Sequence, residues 1–306
     1  MKFEFNDVIT SELVQLLEQT TLGTNGAMYR HLDVTERIYQ TDAPLSFSLR
    51  RNEHLLANIT FCKRDFGLYL RYFAFDKRFQ SAGKARQTMH KSALKQEIEG
   101  VFQRVTTENP GSLDMCYAYI DARNARSKWM SEQFGFQTKA KLASQSFSRR
   151  YPKKSGRISK EVPTDEHLSL IKSNYGHYTA YFDHYLKQGE VHCLRSSDGM
   201  KALPFIPVLR KMVQVKKHQF LVPEAVCVAG KNPKLLTEFL EGVLHMEERH
   251  TMLWWMDERD ELYVQVKEQV NWGILHQILG VAPVDVVIRG DFNPKEPMFI
   301  AAFDMI

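Results

Sequence analysis

Two stretches constrain this chain more than any other. The first, Gln80-Ser81-Ala82-Gly83-Lys84-Ala85, lies between an apolar, aromatic strand and an amphipathic helix. Leu68 to Phe75 supplies the strand. Met89, Ala93, Leu94, Ile98, Val101 and Phe102 recur with a 3.6-residue period and supply one face of the helix. The second, Asn124-Ala125-Arg126-Ser127, follows the strand Leu113 to Ile120 and opens a helix that runs to about Phe134. Gly135-Phe136 closes that helix, with Gly135 at the C′ position, where the left-handed conformation costs a glycine little. A strand, a glycine turn and a helix start make an anion site, because the first N–H groups of a helix are unpaired and sit at the positive end of its dipole. Gly83 lets the backbone come close to a diphosphate. Lys77, Arg78, Lys84 and Arg86 add positive charge around it.

The wider chain supports a soluble, two-domain α/β protein. Its 306 residues can bury a sizeable core. No run approaches the roughly 20 apolar residues of a membrane span, and the N-terminal residues show no apolar signal region. Cys62, Cys116, Cys193 and Cys227 are too far apart for a metal knuckle or a C-x-x-C pair, and they read as buried reduced thiols. A cytoplasmic location is the expectation. Charge is uneven. Residues 1 to 155 hold 24 Lys and Arg against 16 Asp and Glu, while the rest holds 17 against 20. A basic half can hold the phosphates of a nucleotide or a nucleic acid. No basic repeat or interleaved aromatic motif favours nucleic acid.

Along the chain, the order strand, loop, helix, strand, helix, glycine, strand occurs twice, as expected of a diverged internal duplication. The expected division is residues 1–150, a linker at 151–163, and residues 164–306. In the second half, strands are expected near Val191 to Arg195, Phe205 to Val215, Ala225 to Ala229, Met252 to Met256, Val284 to Ile288 and Phe299 to Phe303. Helices are expected from Pro233 to about Glu248 and from Leu262 to Leu279. Gly230-Lys231-Asn232-Pro233 stands where the first half has its glycine loop. Proline lacks an N–H there, so helix initiation explains it better than phosphate binding. The Tyr175 to Tyr185 face reads as a packed helix at a domain interface. His245 and His250, five residues apart, do not share a helix face, so no zinc site is expected.

Taken together, Gln80, Gly83, Ala85, Asn124, Ser127, Gly135 and Phe136 resemble, in order and spacing, the acyl-CoA site of the GNAT superfamily of N-acyltransferases. That pattern is Q/R-x-x-G-x-G/A followed by N-x-x-A/S and a G-F pair. The resemblance covers residues 1 to 150. It implies a mixed α+β fold of two tandem GNAT-like domains, each with a mostly antiparallel sheet flanked by helices, the second being degenerate. It implies acyl transfer, most simply acetyl transfer from acetyl-CoA, to an amine acceptor that the sequence does not name. No metal is implied. The cofactor-binding set it implies is Phe73, Phe75, Gln80, Ser81, Ala82, Gly83, Lys84, Ala85, Asn124 and Ser127. The pantetheine arm would enter between the strand ends at Phe73 to Phe75 and Cys116 to Ile120.

Two departures bear on catalysis. Where many members carry a tyrosine acid seven residues after the asparagine, this chain has Ser131. Where many carry a strand glutamate, Leu68 to Phe75 offers Arg71 and no carboxylate. Asp121 and Glu36 are the substitute carboxylates. The alternative is a non-catalytic CoA-binding or interaction protein of the same fold. The oligomeric state is open, a homodimer included.

Overall fold

The computed structural model describes residues 2–20, 30–31, 34–39, 41, 43–64, 67–76, 93–110, 115–148, 158–162, 164–166, 169, 193–196, 201–205, 212–215, 218–221, 224–229, 233–269 and 281–298. The phosphate-loop residues 80–85, the tyrosine-rich stretch 175–185, the later part of the helix expected to reach Leu279 and the strand expected at 299–303 lie outside them.

The first half begins with β1 (Phe3–Asn6), α1 (Ser11–Thr20), β2 (Arg30–His31) and α2 (Val34–Tyr39). A hairpin follows, β3 (Pro44–Arg51) and β4 (His54–Lys63). Its link is Asn52-Glu53, both at positive φ (49° and 64°), the twist that a two-residue hairpin turn needs. Then come β5 (Leu68–Phe75), α3 (Ala93–Glu108), β6 (Cys116–Asp121), α4 (Ala125–Gln133) and β7 (Gln137–Ser148). The second half runs β8 (Ile158–Glu161), β9 (Cys193–Ser196), β10 (Lys201–Phe205), β11 (Met212–Val215), β12 (His218–Leu221), β13 (Glu224–Ala229), α5 (Pro233–Met246), β14 (Thr251–Asp257), α6 (Glu261–Gln269) and β15 (Ala282–Arg289). The stretch 205–215, read as one strand, is two. The chain leaves the large sheet after β10 and enters a small one as β11. Within the stretch expected to be a linker, Ile158–Glu161 pairs with β9 as an edge strand.

Twelve strands form one continuous sheet in the order β1-β3-β4-β5-β6-β15-β7-β14-β13-β10-β9-β8, and β12-β11-β2 form a second. The register explains the continuity. β6 does not pair with β7. Instead β15, from the far end of the chain, lies between them, antiparallel to both. In turn β7 pairs along Leu142 to Ser148 with β14 of the second half. Strands from the two ends of the chain therefore alternate at the centre of the sheet.

All pairings among the described strands are antiparallel except two. β5 and β6 run parallel for Leu68↔Cys116 and Tyr69↔Tyr117 only. β13 and β14 run parallel for Glu224↔Leu253 and Ala225↔Trp254 only. Beyond those pairs the strands part. Close to each parting point the diverging strand holds an extra residue. The β4–β5 register skips Arg71, and the β10–β13 register skips Val226. Bulges of this kind sharpen strand twist and end pairing. The two parallel pairs thus match in length, in parting and in a nearby skipped residue.

Helices α3 to α6 lie over one face. Ile98, Val101, Phe102 and Val105 of α3 pack on Phe47, Ile59, Phe61, Leu70, Ala118 and Val287. Phe239, Leu240, Val243 and Leu244 of α5, with Leu262 and Val266 of α6, pack on Phe147, Met252, Trp254 and Met256. Asp285 on β15 bonds Lys128 on α4 and lies opposite Lys141 on β7. Phe147, an even number of residues further along β7, lies on that same face under α5 and α6. The opposite face carries Tyr72 and Ala74 under α1 and α2, and a central layer of Tyr69, Tyr117, Leu142, Trp255, Val284 and Val286. No helix among the described residues is long and apolar enough to cross a membrane.

Candidate active site

Of the site expected from sequence, the described residues Phe73, Phe75, Asn124 and Ser127 lie around the place where β5 and β6 part. Its root is tight. A Cβ on Gly67 would stand 2.6 Å from the carbonyl oxygen of Met115, so only glycine fits between the two strand starts. Cys116 and Tyr117 belong to this paired root, while Ala118 to Ile120 and Phe73 to Phe75 lie past it, on the diverging arms. The skip at Arg71 puts two consecutive side chains on one face. Arg71 Nε donates to the Tyr72 hydroxyl at 3.0 Å, and that oxygen lies 3.3 Å from Thr41 Oγ1. Phe73 and Phe75 then turn to the helical face and meet edge to face at 5.0 Å. Phe73 also reaches Phe102 of α3 and Phe134 beyond α4, at 6.3 and 5.6 Å. Edge-to-face contacts of this kind fix ring positions. The two phenylalanines therefore form a half-buried aromatic wall along one arm of the opening.

On the other arm, β6 ends in Asp121 and a short turn that launches α4. Asn124 N–H donates to the Asp121 carbonyl at 2.8 Å. Asn124 Oδ1 then accepts from the Ser127 N–H at 3.0 Å, which makes Asn124 the N-cap and explains why the asparagine and serine stand three apart. Both side chains are at the surface of the helix start. At the helix's far end Gly135 has φ 78°, the left-handed C′ residue expected.

The three candidate proton carriers are placed differently. Ser131 is buried, at 7% exposure, and its hydroxyl donates to the Lys128 carbonyl at 2.7 Å. Its proton is thus engaged inside its own helix. Asp121 is half exposed and held by Arg123 through Nε and Nη2 at 2.9 and 2.7 Å. Those bonds from Arg123 hold its carboxyl below the usual range, which makes it a stable anion and a weak base. Glu36 falls on α2, but its side chain is outside the described residues, as are Gln80, Ser81, Ala82, Gly83, Lys84 and Ala85. The structure brings Asp121, Asn124 and Ser127 together at one turn and Phe73 with Phe75 on the facing arm.

Sequence reading missed the repeat of that turn. Asp121-Ala122-Arg123-Asn124 recurs as Asp257-Glu258-Arg259-Asp260 at the end of β14. The geometry recurs too. Arg259 N and Nε each reach Asp257 Oδ1 at 2.9 Å, matching Arg123 N and Nε on Asp121 Oδ1. Ala122 N–H bonds Pro283 O of β15, and Glu258 N–H bonds Lys141 O of β7. So each turn grips the strand received from the other half. The D-x-R-N/D pattern was visible in the sequence, but only pairing shows what it holds. A second missed feature is Lys128. Its ammonium bonds Asp285 Oδ2 at 2.7 Å, and that bond raises the Lys128 pKa. Asp285 is 1% exposed and belongs to β15, so α4 is tied to the exchanged strand.

The Cys116 thiol in the cleft root is inert. Burial pushes the Cys116 thiol far up, leaving it protonated at neutral pH. Among the described residues no group of His, Cys, Asp or Glu is placed to hold a metal ion.

No protein-family model and no curated protein sequence matches the chain significantly. Solved structures do. A candidate acetyltransferase from Pyrococcus horikoshii superposes over 99% of this chain and 96% of its own, with TM-score 0.61 and 9% identity. GCN5-related N-acetyltransferases from Anabaena variabilis and Kribbella flavida superpose over 94% of this chain and 72% of theirs. Their TM-scores are 0.54 and 0.53, at 8% and 9% identity. The chain has the GNAT fold, with its mixed, mostly antiparallel sheet and flanking helices.

Proposed function

We propose that the protein is an acyl-CoA-dependent N-acyltransferase built from two tandem GNAT-like halves, residues 1–150 and 164–306, and that the first half binds acetyl-CoA or a related acyl-CoA. The observation that carries this reading is the parting of β5 from β6 after two pairs, with an asparagine-capped helix launched directly from β6. An opened parallel pair offers unpaired backbone groups to an extended arm. The Phe73–Phe75 wall gives that arm an apolar side. The sequence motif at Gln80 to Ala85 would hold the diphosphate. The amine nitrogen attacks the thioester carbonyl carbon, the carbon–sulfur bond breaks, and the thiolate takes up a proton equivalent to the one the amine loses. Orientation and a strand N–H on the carbonyl oxygen supply most of what this reaction needs. Asp121, Glu36 and Ser131 are the candidates for moving the proton. Ser131 can do so only by giving up its bond to Lys128.

A second reading, cofactor binding without turnover, is favoured by that engaged serine hydroxyl and by the absence of a carboxylate on β5. Thermal stability with and without acetyl-CoA, beside Gly83→Glu, tests the first step. Ligand at 100 times its dissociation constant stabilises by about 2.7 kcal/mol. The expected result is a rise in Tm that the variant loses. Binding without acetylation of any member of an amine panel would select the second reading, and no binding of any acyl-CoA would discard both.

A further inference from the structure

We propose that Arg71 binds the acceptor through a carboxylate, so that the acceptor is an amino acid or a close relative; the proposal rests on the acyltransferase reading of the opening between β5 and β6. Arg71 stands two residues past Tyr69, whose pairing with Tyr117 is the last before those strands part. It is the residue that the β4–β5 register skips, and a bulge of this kind re-aims a side chain. Its Nε donates to the Tyr72 hydroxyl at 3.0 Å, and its guanidinium carbon lies 5.5 Å from the Tyr72 ring centre. Tyr72 is 1% exposed and packs with Leu13, Leu17 and Ile38 of α1 and α2. That buried ring orients the guanidinium and takes up only Nε.

Nη1 and Nη2, the prongs of the fork, bond no acid among the described residues. Other arginines of the chain are matched: Arg50, Arg123, Arg259 and Arg289 pair with Glu12, Asp121, Asp257 and Glu99. Half-buried Arg71 instead has Tyr72, Cys62 and Tyr69 about it, all uncharged at neutral pH. A guanidinium keeps its charge, and its partial burial without an anion is costly. A ligand carboxylate removes that cost, since its two oxygens match the fork and its single charge balances one arginine. The face says which substrate carries it. The glycine motif that would hold the CoA diphosphate leads into α3, which packs on the opposite face through Ile98, Val101 and Phe102. Arg71 and Tyr72 share the face of α1 and α2. The anion is therefore on the acceptor. Because Arg71 stands at the parting itself, acid and amine lie close together in that molecule, as in an amino acid. The same reading accounts for a β5 that carries no carboxylate, since an acid there would repel an acid-bearing acceptor.

The test gives the full chain acetyl-CoA and each standard amino acid, beside the amine that remains when its α-carboxylate is removed. Phosphoethanolamine stands for an aminophosphate. At least one amino acid is expected to be acetylated, with a KM about tenfold or more below that of its amine. Arg71→Gln should erase that gap by weakening the acid alone, leaving the KM for acetyl-CoA and for the amine as they were. Arg71→Lys, which keeps the charge without the fork, should fall between. A merely structural Arg71 would weaken acid and amine alike, and that result overturns the proposal. So does a preference for phosphoethanolamine. So does a parent that acetyl-CoA stabilises but that acetylates no amino acid, as when an acid of this chain holds the guanidinium. If no acyl-CoA stabilises the protein, the acyltransferase reading falls. An amino acid that raises Tm in the parent and not in Arg71→Gln would then keep the carboxylate site, and no such rise would end both.

Discussion

At the scale of single residues, Gly67 and Lys128 do the most for the candidate site without touching it. Gly67 stands where a methyl group would press on the Met115 backbone, which cannot swing aside as a side chain tip could. Gly67→Ala should therefore cost about 1–3 kcal/mol, read as a lower denaturation midpoint with an unchanged m-value. Lys128 neutralises the buried carboxylate of Asp285. Lys128→Met should cost about 2 kcal/mol, since it strands that charge. The pH dependence has a definite sign. The Lys128 pKa is raised in the folded state, so its contribution is complete below the unfolded value near ~10.5 and fades as pH rises through the folded one. Parent and variant melting curves should differ at pH 8 and converge in strong alkali. A gap that persists there would mean the loss comes from packing of the lysine stem.

The elements that matter are the two D-x-R turns. They share a fold but differ in what surrounds them. Asp257 is 1% exposed and accepts from Arg259 and from the Met298 N–H at 2.8 Å, while Arg259 Nη1 reaches Pro294 O at 2.5 Å. Asp121 and Arg123 are both near half exposed. Asp257→Asn should then cost about 3 kcal/mol or more, and Asp121→Asn less than about 1 kcal/mol. Equal losses would show that the turn itself, and not its burial, sets the energy. The Asp121 carboxyl is lowered by the Arg123 bonds, so its contribution is present above the unfolded pKa and lost as pH falls through the folded one. Acid should erode the first turn's share of stability gradually.

At the scale of the whole molecule, the twelve-stranded sheet is continuous because β15 lies between β6 and β7, and β7 pairs with β14. A fragment of residues 1–155 would lack the strand that fills the space between β6 and β7, leaving two open edges in the middle of a sheet. It is expected to aggregate or to melt without cooperativity by circular dichroism. Mixing it with residues 156–306 should recover a single transition. A monomeric fragment that melts at the parent temperature would mean β6 and β7 can pair directly, and that the exchange is not needed for folding.

Much of this was legible before any coordinates. Alternating and aromatic runs marked β4, β5, β6 and β14, because side chains of a buried strand must be apolar wherever they point. Asn124 and Gly135 marked both ends of α4, because caps and C′ residues are local chemistry. The candidate opening was implied by the resemblance of Gln80 to Ala85 and Asn124 to Ser127 to the GNAT acyl-CoA site. What no local signal could give was partnership. Whether Val284 to Ile288 closes its own half or the other one is decided by which edge is vacant, and that is a property of the assembled sheet. The same holds for Ser131. Its position in the helix was plain, and its hydroxyl reaches the Lys128 carbonyl locally, but only packing buries it.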